Sequence, residues 1–90
     1  MLQGKAFGGQ FKQIKTVIQR NGKFFLVSTN DTFDRGLETM IFASEPTGKV
    51  TDWQELYCDL HTTIESAITG HRLACETFQP KEGGSYDNEY

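Results

Sequence analysis

The 90-residue sequence predicts an α+β fold, in which a four-stranded antiparallel sheet that begins with an N-terminal hairpin is followed by one C-terminal helix packed on one face. Three observations support this fold class: an Asn-Gly pair between two β-rich runs, alternating apolar residues in the next two runs, and apolar residues every three to four positions near the C-terminus. We expect residues 1–80 to form one domain and residues 81–90 to form a disordered acidic tail.

The predicted hairpin joins Phe11–Arg20 to Lys23–Thr29 through Asn21 and Gly22. Both central residues of a two-residue type I′ turn need a positive φ, and Asn-Gly is a pair that tolerates it well. This turn fixes the register of the two strands, so one face of the hairpin gathers apolar side chains and becomes the candidate core face. Its members are Ile14, Ile18, Phe25 and Val27.

The opposite face of the hairpin is half apolar. Phe24 and Leu26 lie there among polar neighbours such as Lys15 and Gln19, which is unusual for a face open to water. We therefore predict that Phe24 and Leu26 contact another part of the chain or a second subunit. A core built from roughly 70 residues is usually marginal, so oligomerisation is the favoured source of extra stability.

Two more strands follow the hairpin. The segment Asn30–Gly36 has the composition of a turn, and Leu37–Ser44 then alternates as a third strand. Glu45–Gly48 is a turn with Pro at its second position and Gly at its fourth. A fourth strand is expected over Asp52–His61, where apolar and polar residues alternate again.

Alternation divides the fourth strand into two sides. Leu56, Cys58 and Leu60 share one side, which we assign to the interior. Trp53 and Tyr57 share the outward side, where aromatic residues often anchor an interface. In the alternative interpretation the aromatic side is the core face and the other side meets a partner. The sequence leaves both interpretations open.

The helix is predicted to begin with a capping box formed by Thr62 and Glu65 and to run to about Gln79, where Pro80 discourages continuation. Gly70 lies inside the helix, and a close approach of the helix to the sheet would explain it. The apolar stripe that should face the sheet contains Ile64, Ala67, Ile68, His71, Ala74, Cys75 and Phe78.

The sequence contains no recognisable catalytic motif, so we expect neither an enzyme nor a cofactor. His61 and His71 have no metal-site spacing, and Cys58 and Cys75 fall on different elements, so no metal site is expected. Because His71 lies on the apolar helix stripe, we predict a buried, hydrogen-bonded histidine there. The two cysteines are expected to be buried thiols rather than a disulfide.

The stretch from Thr32 to Met40 is the candidate ligand site. It offers a guanidinium that can bind phosphate or carboxylate through two parallel hydrogen bonds, and an aromatic ring that can stack on a base. In the alternative interpretation residues 34–36 make a turn and the aromatic ring anchors the loop. The candidate ligand-binding residues are Phe33, Arg35, Glu38 and Thr39.

The charge of the chain is distributed unevenly. Residues 1–36 contain six basic and two acidic residues, a balance of +4, whereas residues 37–90 contain three basic and ten acidic residues, a balance of −7. The net charge of −3 argues against nonspecific binding to nucleic acid. The uneven distribution indicates either a solvated, lysine-rich hairpin or an anion-attracting or self-complementary surface.

Three phrases of the sequence, TFDRGLETMIF, VTDWQEL and the pattern T-x-E-x-A-x-x-G-H from Thr63 to His71, resemble small proteins encoded by bacteriophages and prophages. The resemblance covers Gly8 to Glu76. It implies a phage origin and a location in the cytoplasm of an infected bacterium, which agrees with the absence of an apolar run suited to a signal peptide at the N-terminus. That group has no established activity, so the resemblance assigns no functional residue.

Phage proteins of this size often inhibit host defences. The leading hypothesis is therefore a non-enzymatic homo-oligomer that antagonises bacterial immunity by sequestering a nucleotide-derived defence signal at a subunit interface. The alternatives are an acidic protein–protein inhibitor of a host defence protein, for example of a CRISPR-type or other nucleic-acid-binding protein, and a small accessory virion component. Neither direct nucleic-acid binding nor membrane association is expected.

Overall fold

The computed structural model describes residues 11–32 and 36–80 of the chain, and the expected acidic tail lies outside them. All neighbouring strands pair antiparallel in the order β1-β2-β3-β4, which confirms the predicted fold class. Among the described residues, no helix is long and apolar enough to cross a membrane. The elements are β1 (Ile14–Arg20), β2 (Lys23–Thr32), β3 (Gly36–Ser44), β4 (Val50–His61) and α1 (Ile64–Thr77).

The hairpin has the predicted turn and register. Asn21 and Gly22 have φ values of 55° and 76°, as a type I′ turn requires. Arg20 pairs with Lys23 beside the turn, so every later pair follows the expected alignment. The candidate core face of the hairpin is the face that α1 covers, because Phe25 and Val27 pack in one cluster with Ala74 of the helix.

Strand β2 is longer than the sequence indicates. The prediction of a loop over Asn30–Gly36 is wrong for its first three residues and for Gly36, which begins β3, because Asn30 pairs with Glu38 and Thr32 pairs with Gly36. The Thr32 hydroxyl also donates a hydrogen bond of 2.7 Å to the Gly36 carbonyl. Pairing with β3 therefore overrides the local turn preference of Asn and Asp.

The helix begins one residue later than predicted. Thr63, and not Thr62, is the N-cap: its hydroxyl accepts a 3.0 Å hydrogen bond from the Ser66 amide, and the Ser66 hydroxyl accepts from the Thr63 amide. The capping box thus uses Ser66 in place of the expected Glu65. The helix ends at Thr77, short of the expected Gln79.

The C-terminal end of α1 is capped from the sheet. The last turn of the helix contains no basic residue, although its free carbonyls favour a positive charge. Arg20 of β1 provides that charge by donating from Nε to the Phe78 carbonyl at 3.0 Å and from Nη2 to the Cys75 carbonyl. This contact ties the end of α1 to β1.

The core lies between α1 and the sheet in two apolar clusters. In the first, Phe25 and Phe78 pack edge to face with ring centroids 5.2 Å apart. The helix stripe faces the sheet as predicted except at Ile68, which is 51% exposed. The first cluster contains Phe25, Val27, Ile41, Ala74 and Phe78, and the second contains Phe11, Leu37 and Ala67.

Gly70 allows the helix to approach the sheet closely. A Cβ atom at this position would lie 2.3 Å from Cε1 of the His61 ring, a distance that real Cβ atoms essentially never show. His61 is itself buried at the end of β4. The sequence-based explanation of Gly70 as a close-approach residue is therefore confirmed, and the contacted group is a histidine ring.

Strand β4 contains an irregularity opposite β3. Ile41 pairs with Tyr57 and Ala43 pairs with Asp52, so a step of two residues in β3 faces a step of five in β4. The additional residues form a bulge that turns both Leu56 and Tyr57 toward the core. The bulge breaks the simple alternation on which the sequence-based assignment of this strand depended.

The predicted sides of β4 need a correction as a result. Cys58 and Leu60 were expected to face inward, but both are exposed on the side away from α1, and Leu60 is 51% exposed. Tyr57 was expected to face outward with Trp53, but it packs against the first core cluster. Trp53 and Tyr57 therefore lie on opposite sides of the sheet and form no continuous aromatic strip.

Candidate functional site

The predicted ligand-binding residues do not converge on one described surface. Phe33 and Arg35 lie outside the described residues. Glu38 and Thr39 are consecutive in β3, so their side chains project to opposite faces of the sheet. Both are buried, with exposed fractions of 3% and 0%. Within one subunit they cannot contact the same ligand.

Thr39 belongs to a polar network between the sheet and α1. Its hydroxyl lies 2.5 Å from the Thr29 hydroxyl and 2.9 Å from Nε2 of His61. The Thr29 hydroxyl in turn lies 2.8 Å from Nδ1 of His71, and Nε2 of that ring lies 2.9 Å from the Thr16 hydroxyl. Four hydrogen bonds thus join all four strands and the helix across the interior, and His71 is buried and hydrogen-bonded as predicted.

With neutral rings, all four contacts of the network can be hydrogen bonds in which each threonine hydroxyl donates to the next group. If both rings were protonated, His71 would donate to Thr29 and His61 would donate to Thr39. Only one of the two hydroxyls could then donate to the other, so one hydroxyl hydrogen would have no acceptor within the network. Burial also lowers the pKa of His71 below its ordinary value of 6.5. The geometry and this lowered pKa favour a neutral His71 with a structural role.

Glu38 lies on the opposite face and has its own partner. The Cys58 thiol donates to Oε2 of Glu38 over 3.4 Å, and Glu38 pairs with Asn30 in the neighbouring strand. The carboxyl group of Glu38 thus lies buried on the face without a helix, with the Cys58 thiol as a donor.

The helix-free face of the sheet contains a groove with a volume of about 410 Å³. This volume falls within the range of about 300–1,000 Å³ that is typical of small-molecule sites. The groove contains Leu26 and Trp53, two of the predicted interface residues, whereas Phe24 lies one row beyond Leu26 on the same face. Its lining residues are Gln13, Lys15, Leu26, Ser28, Asn30, Met40, Phe42, Gly48, Val50 and Trp53.

An aromatic pair forms one end of the groove. The rings of Phe42 and Trp53 pack edge to face with centroids 5.1 Å apart. Phe42 is 6% exposed and anchors the pair, while Trp53 is 73% exposed and presents its indole to the surroundings. A supported but accessible indole is suited to stacking against a planar ligand.

The turn between β3 and β4 closes the groove at this end. The Gly48 amide donates a 2.8 Å hydrogen bond to the Glu45 carbonyl, and Gly48 has a φ of 93°. A Cβ atom at Gly48 would lie 3.3 Å from Cγ2 of Val17 and 3.9 Å from Cδ1 of Leu26. The turn thus folds down against the sheet and leaves room for little more than a glycine.

Two side-chain amides form the other end of the groove. Nε2 of Gln13 and Nδ2 of Asn30 both donate to the Ser28 hydroxyl, over 3.3 Å and 3.1 Å. Ser28 is buried and holds both amides in place. Each amide keeps a carbonyl oxygen and a second N–H for a ligand. Lys15 pairs with Ser28 across β1 and β2, which adds an ammonium group beside the amides.

Most residues of this groove were not predicted as a site from the sequence. Lys15 and Ser28 form one row of side chains, and Gln13 and Asn30 form the next row on the same face when the hairpin register is continued by one pair. That register was available from the Asn-Gly turn, so the grouping could have been found. Trp53 was predicted as an outward interface residue, but its place in this groove depends on the bulge in β4 and could not be found from the sequence.

The described residues contain no group of three or more His, Cys, Asp or Glu side chains that could hold a metal ion. The two histidine rings are bound to threonine hydroxyls inside the molecule, away from the groove. The groove itself therefore offers stacking, hydrogen bonding and one positive charge, which are the elements of a binding site.

Comparisons with protein-family models, with curated proteins and with solved structures found no match for this chain.

Proposed function

We propose that this chain is a non-enzymatic binding protein that holds a nucleotide-type ligand in the groove on the helix-free face of its sheet. The observation that carries the proposal is the combination of an accessible indole, Trp53, with two positioned amides and an ammonium group in one groove of about 410 Å³. A nucleotide has one group for each of these features: a flat base, polar base edges and an anionic phosphate.

The dimensions of the sheet agree with this arrangement. The aromatic pair and the amides are separated along the strands by two rows of side chains, because Leu26 pairs with Phe42 and Asn30 pairs with Glu38. Successive residues on one face of a strand are about 7 Å apart, so the two ends of the groove lie roughly 14 Å apart. Lys15 pairs with Ser28 and so belongs to the intermediate row, which lets a base beside Trp53 direct its sugar and phosphate toward Lys15 and the amides.

The biological role in the proposal comes from the resemblance to small bacteriophage proteins. A phage protein that binds a nucleotide signal without breaking a bond would lower the free concentration of that signal. The consequence would be weaker activation of the host defence that uses it. We retain a homo-oligomer in the proposal, since the exposed groove would be more fully enclosed by a second copy of the chain.

The chain has a single tryptophan, which gives a direct test. Because Trp53 lines the groove, we expect its fluorescence to change in a saturable manner when a cyclic nucleotide or mononucleotide binds. The same ligands should raise the melting temperature, since a ligand that binds only the native state stabilises it. A panel that varies the base and the phosphate would identify the class of ligand.

The control ligands are a free sugar phosphate, which lacks a base, and a nucleoside, which lacks a charge. Either should bind more weakly than the complete nucleotide. If no member of a broad nucleotide panel changes either the fluorescence or the melting temperature, the proposed function is wrong.

A second candidate function is supported by the charge of the other sheet edge. Asp52, Glu55 and Asp59 are exposed on β4, an edge strand with its own row of backbone groups available for pairing. This acidic edge suits the alternative of a protein inhibitor that occupies a basic surface. In a plaque assay on bacteria with the susceptible defence, a triple variant (Asp52→Asn, Glu55→Gln and Asp59→Asn) would lose the antagonism and Trp53→Ala would keep it.

A further inference from the structure

The charge of the groove restricts the ligand more narrowly than its shape does. Among the described residues, the lining contains one charged side chain, that of Lys15, and its ammonium group forms no ion pair with a described residue. The remaining lining residues are apolar, aromatic, amide or hydroxyl groups. One ammonium group can neutralise one negative charge of a ligand, and a second charge would be left without a partner.

The carboxyl group of Glu38 lies beside the same region. Glu38 pairs with Asn30 and precedes Met40 by two residues, so its side chain belongs to the same row as the Asn30 amide on the helix-free face. It is 3% exposed, and the Cys58 thiol donates to it. Glu38 therefore adds no positive group with which a second negative charge of a ligand could pair.

We propose that the groove selects a nucleotide whose phosphate carries a single negative charge, that is, a phosphodiester such as the one in a cyclic nucleotide. This inference rests on the proposed function and adds the charge class of the ligand. A terminal monophosphate carries about −1.5 to −2 charges at neutral pH and a triphosphate carries more, whereas a phosphodiester carries one at every pH above about 2.

The test uses three ligands with the same base: 3′,5′-cyclic AMP, 5′-AMP and ATP. Their dissociation constants would be measured at pH 7.5 by Trp53 fluorescence and by calorimetry. The cyclic nucleotide should bind tightest and ATP weakest. A second series at pH 5.5 protonates the monophosphate, whose second pKa is near 6. The affinity of 5′-AMP should then rise toward that of the cyclic nucleotide, whose own affinity should stay constant and serves as the internal control.

Substitutions identify the charge partner. Lys15→Gln should weaken binding of the cyclic nucleotide by up to about fivefold, the range expected for an accessible ion pair, and Lys15→Arg should restore it. Lys23→Gln at the hairpin turn removes the same charge away from the groove and should have no effect. Unchanged melting temperatures in the absence of ligand would show that all three variants are folded.

Each outcome has a definite meaning. If 5′-AMP or ATP binds as tightly as the cyclic nucleotide at pH 7.5, the single-charge inference is wrong and the proposed binding function stands. If Lys15→Gln binds as tightly as the unchanged protein, the inference is also wrong, because its charge partner is misassigned. If none of the three nucleotides binds and the broader panel also fails, the proposed function fails and the inference fails with it.

Discussion

The helix-covered and helix-free faces of this sheet both place polar side chains near their centres, but the two faces bond them differently. Under α1, the hydroxyls of Thr29 and Thr39 and the rings of His61 and His71 are hydrogen-bonded to one another. On the other face, Ser28 holds two amides that each keep bonding capacity toward the groove. The histidines and threonines, which are often found in catalytic sites, here stabilise the core. The candidate binding site is formed by side-chain amides and a lysine.

The largest expected effect on the covered face is that of Thr39→Val. The substitution keeps the shape of the side chain but removes the hydroxyl that joins Thr29 to His61. Because it leaves buried polar groups without a partner, we expect the free energy of unfolding to fall by about 2–4 kcal/mol, as measured by urea denaturation. Thr16→Val, at the half-buried end of the network, is the matched control and should cost only about 1 kcal/mol. Equal losses for the two variants would contradict the central role of Thr39.

The next largest effect is expected on the helix-free face. Trp53→Ala should weaken nucleotide binding by about 1–3 kcal/mol, or roughly 5- to 150-fold, because it removes the stacking surface. The exposed position of Trp53 means that the stability of the protein should change little. Calorimetry would measure the affinity, and Leu73→Ala on the exposed side of the helix is the control. If the Trp53→Ala variant binds the nucleotide as tightly as the unchanged protein does, the ligand binds outside the groove.

The smallest expected effect is a pH dependence that belongs to the covered face. Since burial holds the pKa of His71 below 6.5 in the folded state, the unfolded chain binds more protons than the folded chain as the pH falls below that value. The contribution of His71 to stability is therefore fully present above about pH 6.5 and is lost as the pH falls through the folded-state pKa. Melting temperatures measured from pH 8 to pH 5 should decrease, and His71→Gln should flatten the profile. An unchanged slope in this variant would assign the dependence to another group.

The sequence was sufficient for the elements whose signals are local. Asn21 and Gly22 determine the turn and hence the register of β1 and β2. The spacing of apolar residues around His71 and Ala74 predicts which side of α1 faces the sheet. These features depend on neighbours within a few residues along the chain, so they can be predicted from the sequence.

The sequence was insufficient to predict structure where pairing with a distant segment outweighs the local preference of the residues. Asn30 and Thr32 have turn preferences but become part of β2 because β3 pairs with them. Leu56 and Tyr57 turn to the same side because β4 bulges against a straight β3. In both places the stabilisation comes from hydrogen bonds and packing with another strand, which a local pattern does not report.

The sequence by itself thus determined the α+β class, the hairpin, the core-facing side of the helix and the buried state of His71. Only the tertiary structure decided that His61 and His71 share one network, that Trp53 and Tyr57 separate to opposite faces, and that Lys15 joins Trp53 in one groove. The physical reason is that a face of a sheet is assembled across strands. Backbone pairing and bulges decide which residues lie side by side on a face of the sheet. The separation of these residues along the chain says little about their distance in space.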